Sequence, residues 1–283
     1  MINECVIAHG VFDDKIILAK NRDRAYKASV SIVREIIEGV EVAYILDEDT
    51  DWSEGLNEHG IGIVNSALLV EADENEKKNI KKSGEKGEDG AKIRKALSLT
   101  KLSKVIKSLT SFKGDGNFAL MGHTFLGNAD RSYSIEVTSE TNPKVSVLNK
   151  SKIHIRTNHG YAYKDAGYTS GDRFASSHKR WKFSQKILGK ESNPDDVLTG
   201  LSTYQAKNMR DNPYRDVELV KNKTEEDILS TTGQVMLNLT DLELTYRVDQ
   251  DQSKFLGIKD KTPDHYEPKI KIKVQNVKNK TVK

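Results

Sequence analysis

The sequence holds a single cysteine, Cys5, so no disulfide can form within the chain. It also has no run approaching the ~20 apolar residues that a bilayer-spanning helix needs. Glu4, His9, Asp13, Asp14 and Lys15 break up the stretch where a signal peptide would carry its apolar segment. An excess of one charge is missing too. The 45 basic residues nearly balance the 42 acidic ones, leaving a net charge of +3, which gives no general attraction to nucleic acid or to an anionic membrane. Proline is scarce, at 5 residues, and no Pro/Gly/Ser-rich linker divides the chain, so one domain is expected over the 283 residues. With 36% hydrophobic and 31% charged residues, the expectation is a water-soluble, cytoplasmic protein with a modest core and a heavily charged surface.

What is present reads first as strands. Residues 5–9 and 15–19 are short apolar runs joined by the turn Phe12-Asp13-Asp14. Residues 29–37 and 40–46 are rich in β-branched side chains and turn at Glu38-Gly39, and residues 60–69 make a further strand. Residues 71–90 are dominated by Glu, Lys, Asp, Asn and Gly and read as a charged surface loop. Helical spacing of Ile93, Leu97, Leu102, Val105, Ile106 and Leu109 predicts one helix over 91–112. Strands are expected at 117–125, 132–139, 144–148 and 152–156. A helix over 171–188 follows, with Phe174, Trp181 and Leu188 on one stripe. Asn193-Pro194 looks like the start of a second helix running to about residue 207, and a late hairpin turns at Thr240-Asp241. Beyond Lys259 the chain is polar and lysine-rich, an edge strand or a basic tail. There is no internal repeat. The order implies an α+β chain with two antiparallel sheets.

A thiol needs a base or a cation nearby to act as a nucleophile. No residue upstream of Cys5 supplies one, and a hairpin would bring Lys20-Asn21-Arg22-Asp23 back beside it. A free α-amino group could serve as the base, because its pKa of about 7.7–8.0 lies near working pH. That amine would exist only after the Glu4–Cys5 bond is cut.

The motifs Cys5, Ala19-Lys20-Asn21-Arg22-Asp23, Gly55-Leu56-Asn57-Glu58-His59-Gly60-Ile61-Gly62-Ile63-Val64-Asn65, Thr157-Asn158-His159 and Ser170-Gly171-Asp172-Arg173-Phe174 occur in that order. This series resembles the choloylglycine hydrolase and acyl-coenzyme A:6-aminopenicillanate acyltransferase group, which includes penicillin V acylases and bile salt hydrolases. The resemblance implies an αββα four-layer sandwich of two antiparallel sheets and an N-terminal cysteine amidohydrolase that cleaves a non-peptide amide through a thioester. It implies Cys5 as nucleophile and Asp23 as the carboxylate at its amine or thiol. Asn158 would give an oxyanion donor from its side chain, and Asn65 another from its backbone N–H or side chain. Arg173 would be the cation near the thiol. The chain departs from the pattern at Lys20, where bile salt hydrolases usually carry arginine, so Lys20, Arg22 and Arg180 stay open as alternatives to Arg173. Met1–Glu4 would be a short propeptide removed by autoproteolysis, leaving one domain over 5–283.

Other readings remain open at this point: an acyltransferase of the same fold, a relative of the family whose members read Asn-Arg-Asp-Glu (position 24 here is Arg24), or a scaffold without catalysis. No cofactor and no metal are expected, since His154 and His159 lack a third ligand at metal-site spacing. Ser176-Ser177-His178 lacks nucleophile-elbow glycines and is expected on a helix surface. Tyr161, Tyr163 and Tyr168 would line a substrate mouth or pack their loop. The partner expected is a small-molecule amide, with self-association left open; the identity of the amide is not readable from these residues. The loop at 71–90 is expected near the site, where its charge would favour polar or charged substrates.

Overall fold

The computed structural model describes residues 3–24, 28–68, 88–111, 119–138, 142–166, 168–203, 206–215, 230–248 and 270–273. Two antiparallel sheets face each other. The first holds six strands in the order β10 (His154–Arg156), β1 (Asn3–Phe12), β2 (Lys15–Arg24), β11 (Ser230–Asn238), β12 (Glu243–Val248) and β13 (Ile270–Lys273). The second runs in sequence order: β3 (Val30–Ile37), β4 (Val40–Asp47), β5 (Trp52–Asn57), β6 (Gly62–Ser66), β7 (Gly122–Gly127), β8 (Ser132–Val137) and β9 (Lys144–Val147).

Ile7, Leu18, Val235 and Leu237 from the first sheet meet Ala43, Ile45, Val64 and Phe125 from the second in the central core. Helices α3 (Gly171–Leu188) and α4 (Asp196–Leu201) cover the outer face of the first sheet, burying Val6, Ala8, Ile17 and Ala19. Helices α1 (Glu88–Leu97) and α2 (Leu102–Thr110) cover the second, through Ile93, Leu97, Val105 and Leu109 against Ile61, Ile63 and Leu126. The architecture is therefore the αββα four-layer sandwich of two antiparallel sheets.

Local chemistry accounts for the hairpins. Asp13 and Asp14 both take positive φ, at 46° and 59°, as do Glu38 and Gly39, at 52° and 84°. Two left-handed residues are what a two-residue turn needs if its twist is to match the strands it joins. The strand period then sorts side chains. Successive residues point to opposite faces, so Ile16 and Leu18 enter the central core while Ile17 and Ala19 face the helices. Both faces of β2 are covered, and for that reason its polar end at Lys20-Asn21-Arg22-Asp23-Arg24 is buried as completely as its apolar start.

Several boundaries differ from the sequence expectation. β1 and β2 are ten residues each, so Asn21-Arg22-Asp23 lies inside a strand rather than beyond its end. The helix expected over 91–112 is two helices, broken between Leu97 and Leu102, and the first begins at Glu88, within the stretch read as a loop. Gly90 sets that start: a Cβ there would lie 1.6 Å from the Asp51 carbonyl oxygen, so only glycine lets α1 sit on the β4–β5 turn. The helix expected to reach residue 207 stops at Leu201. The rest of the charged stretch, residues 71–87, lies outside the described residues. Of the lysine-rich tail, Ile270–Lys273 pairs with β12 as the edge strand of the first sheet. Among the described residues no helix is long and apolar enough to cross a membrane.

Candidate active site

Cys5 is 2% exposed and sits in β1 opposite Arg22 of β2. Strand alternation divides the surrounding charges into two groups, one on each face of the sheet.

On the face between the sheets lie Lys20, Arg22 and Arg24 from β2, met by Asp47 and Glu54 from the second sheet. Arg22 Nη2 donates to Asp47 Oδ2 at 3.0 Å, and its Nε lies 3.7 Å from Glu54 Oε2. Lys20 donates to Glu54 Oε1, which also accepts the Trp52 indole N–H at 2.8 Å. Arg24 donates from Nε to Asp47 at 3.4 Å and from Nη1 to the Asp23 carbonyl at 2.9 Å. Its Nη1 also reaches Cys5 Sγ at 3.4 Å. All five charged side chains are at most 2% exposed. Burial pushes the Lys20 ammonium down from its ordinary value, opposed by Cys5 and Glu54. Burial would raise the Glu54 carboxyl, but Lys20 and Arg22 outweigh it and hold the carboxyl below the usual carboxylate range.

On the helix face lie Glu4 and Asp23. Glu4 Oε2 accepts from Arg180 Nη2 at 2.8 Å and from Arg215 Nη2 at 2.7 Å. Asp23 Oδ2 stands 3.8 Å from Arg180 and 3.7 Å from Arg215, while Oδ1 accepts the Thr231 hydroxyl at 2.8 Å. Burial acts to raise Glu4, yet Arg215 and Arg180 bring it below the usual range. Asp23 responds the other way: burial raises it despite the same two arginines. Burial and the neighbouring Arg215 push Arg180 down to about 10.

The backbone of Cys5 is held as firmly. Its N–H donates to Asn158 Oδ1 at 3.4 Å; its carbonyl accepts from Arg180 Nη1 at 3.2 Å and from the Ser66 hydroxyl at 3.5 Å. The amide of Asn158 has one orientation only. Arg180 Nη2 donates to its Oδ1 at 2.8 Å and its Nδ2 donates to the Ala67 carbonyl at 2.8 Å, pairings that the flipped amide would reverse into clashes of like groups. Ser177 on α3 fixes the segment, accepting the Asn158 N–H at 2.9 Å and donating to Thr157 Oγ1 at 2.9 Å.

The structure thus brings Cys5 and Asn158 into contact and links Asp23 to the Cys5 carbonyl through Arg180. Three sequence expectations change. The side chain of Asn65 donates to Thr124 and Met121 on the outer face of the second sheet, away from Cys5, so of the two donors expected there only the backbone N–H stays open. Its neighbour Ser66 faces Cys5, because a one-residue step along a strand reverses the face. Arg173 donates to the Tyr168 hydroxyl at 2.8 Å, and its charge is felt at the Glu4 carboxylate. The cation in contact with Cys5 Sγ is Arg24, a residue outside the expected set. Arg180 reaches the Cys5 carbonyl, Glu4 and Asn158. Of Ser176-Ser177-His178, His178 is exposed on the helix as expected, while Ser176 and Ser177 are buried against the site.

Arg215, Glu54 and Asp47 were missed altogether. Their only sequence signal was charge, and charge is ordinary in a chain that is 31% charged. Tyr161 stacks on Arg156, with the guanidinium 3.5 Å from its ring centroid, and Lys144 lies over Tyr163. Those two tyrosines pack their loop, while Tyr168 borders the arginine group. His154 and His159 point into different surroundings, toward the Asn149 carbonyl and Ser177.

No protein-family model matches the sequence, and no curated protein matches it. Solved structures do. A mutant of the conjugated bile acid hydrolase from Clostridium perfringens aligns over 98% of this chain and 93% of its own, with 11% identity and a TM-score of 0.52. A second variant of that hydrolase aligns over 98% and 100%, with 12% identity and a TM-score of 0.50. The penicillin V acylase from Agrobacterium tumefaciens aligns over 86% and 82%, with 10% identity and a TM-score of 0.50. At these identities the likeness establishes the fold, which this chain shares with that hydrolase and that acylase.

Proposed function

We propose that the chain is the precursor of an N-terminal cysteine amidohydrolase, with Cys5 as nucleophile and its own α-amine as base. The observation that carries this reading is the double hold on Cys5: Asn158 Oδ1 receives its N–H at 3.4 Å while Arg24 contacts Sγ at 3.4 Å. Both reactive groups of one residue are positioned, and neighbouring groups can receive the new charge. Asp23 Oδ2 is buried and accepts no hydrogen bond. An α-ammonium at Cys5 would supply the missing donor, which is the role that the resemblance gives to Asp23.

Maturation begins when Cys5 Sγ attacks the Glu4 carbonyl carbon. The S–C bond forms, the Glu4–Cys5 C–N bond breaks, the thiol proton passes to the nitrogen, and water then cleaves the thioester. Turnover repeats the sequence on a substrate amide. The α-amine takes the thiol proton and delivers it to the leaving amine. Water then adds to the carbonyl, the S–C bond breaks, and the proton returns to sulfur. Transfer of the acyl group to a second amine would differ only in the last acceptor.

A second reading has an observation in its favour: Glu4 is part of β1 and is held by two arginines, as a permanent residue of an unprocessed scaffold would be. Intact mass separates the two. The purified chain should lack Met1–Glu4, and Cys5→Ala should retain them. A wild-type preparation that hydrolyses an amide while still beginning at Met1 or Ile2 would refute the proposed mechanism.

A further inference from the structure

Glu4 makes an unusual residue to discard. It is 3% exposed, and its carboxylate lies between two guanidiniums, Arg180 at 2.8 Å and Arg215 at 2.7 Å, that are themselves 0% and 3% exposed. Arg173, held by Tyr168, adds a third positive charge within electrostatic reach. In the precursor Arg180 and Arg215 face two carboxylates, Glu4 and Asp23. Loss of Glu4 removes one carboxylate, and the new α-ammonium of Cys5 adds a cation that competes for Asp23. Two buried arginines are then left short of an anion, an arrangement that is costly to leave uncompensated.

We infer that the slot vacated by Glu4 is the acyl-side substrate site of the mature protein, and that Arg180 and Arg215 there bind a carboxylate on a glutaryl- or glutamyl-type acyl group. This rests on the processing reading above. The argument is one of shared intermediates. During maturation the acyl group on Cys5 Sγ is that of Glu4, whose side-chain carboxylate stands three carbons beyond the acyl carbonyl. During turnover the acyl group of the substrate is bonded to the same sulfur. An acyl group with a carboxylate at the same remove can place it between the same arginines, whereas an uncharged chain of equal length would leave the two sharing Asp23. The Arg fork suits this task because it binds carboxylate with directed hydrogen bonds.

The test uses binding, so that it does not depend on turnover. Glutarate and pentanoate have the same carbon count and differ in the distal carboxylate. Wild-type protein whose mass begins at Cys5 should bind glutarate about ten- to a hundredfold more tightly than pentanoate by calorimetry, the margin expected for charge-assisted hydrogen bonds. The Cys5→Ala precursor, with Glu4 still in place, should show no such preference. Equal affinity for the two acids in the processed protein, or the same preference in the precursor, overturns the inference while leaving the amidohydrolase reading intact. If the wild-type chain retains Met1–Glu4, that reading fails, and the arginine site is judged in the full-length Glu4→Gly variant. Propionate is the side chain that this substitution deletes, so it should raise the melting temperature saturably where propionamide does not. No difference between propionate and propionamide overturns the site as well.

Discussion

Replacing Asp47 with asparagine removes a negative charge from between the sheets while changing little else. Asp47 is 0% exposed, and its Oδ2 faces Arg22 Nη2 at 3.0 Å and Arg24 Nε at 3.4 Å. Its other oxygen accepts the N–H of Asp49 at 3.2 Å and of Thr50 at 3.3 Å, and asparagine keeps that acceptor, so the β4–β5 turn survives. The volume is unchanged. What changes is that three buried cations, Lys20, Arg22 and Arg24, lose one of the two carboxylates, Asp47 and Glu54, that face them among the described residues.

Removing one partner of a buried ion pair costs about 3–5 kcal/mol, because the other is left charged and out of water. That is a large share of the roughly 5–15 kcal/mol by which a protein domain is stable. Urea unfolding followed by circular dichroism should show the midpoint falling with an unchanged slope. Arg24→Gln is the control. It leaves Asp47 with Arg22, so no carboxylate is stranded and the loss should be smaller. A loss of under about 1 kcal/mol for Asp47→Asn, the range of an exposed pair, would refute the reasoning. So would an Arg24→Gln penalty exceeding that of Asp47→Asn.

Two other expectations follow from the same geometry. In processed protein, Arg24→Gln should slow iodoacetamide alkylation of Cys5 at neutral pH by roughly tenfold, since a neighbouring cation favours the reactive thiolate, while Arg173→Gln should leave the rate within about twofold because Arg173 is engaged with Tyr168. The reverse order would return the thiol's cation to Arg173. His9 is 1% exposed between the sheets, and burial, with His154 and Lys150 adding to it, pushes it from 6.5 down to about 3. Between those values the unfolded chain binds a proton that the folded chain refuses, so stability falls as pH drops, by up to about 1.4 kcal/mol per pH unit from this residue. His9→Leu should therefore flatten stability against pH between about 6 and 4, and curves parallel to wild type would exclude His9 as a source.

How far the sequence reached depended on the range of each interaction. The hairpins at Asp13-Asp14 and Glu38-Gly39 were legible because neighbouring residues determine them. The two antiparallel sheets were legible because strand and helix periods recur along the chain, whereas their stacking into four layers was implied by the resemblance carried by the ordered motifs. At the site the reading failed by small displacements with large consequences. The second strand runs past the Ala19 end expected for it, so Arg24 lay outside the candidate cations for the thiol, although alternation puts it on the same face as Lys20 and Arg22. Asn65 and Ser66 differ by one position, and only the phase of β6 against the core says which side chain meets Cys5. Arg173 and Arg180 share a helix face, but they stand roughly 10 Å apart along the axis at 1.5 Å per residue. That separation decides which reaches the Cys5 carbonyl and which stays with Tyr168. Arg215 lay further still from any local signal. It is 192 residues from Asp23 in sequence, and its side chain comes within 3.7 Å of that carboxylate because β11 pairs with β2 and brings Thr231 beside Asp23, while the Thr231 N–H donates to the Arg215 carbonyl. A charged residue of this kind becomes identifiable only when folding has removed its water, because a buried guanidinium must face an anion. For Arg215 the anions are Glu4 and Asp23, and the proposed maturation removes one of them.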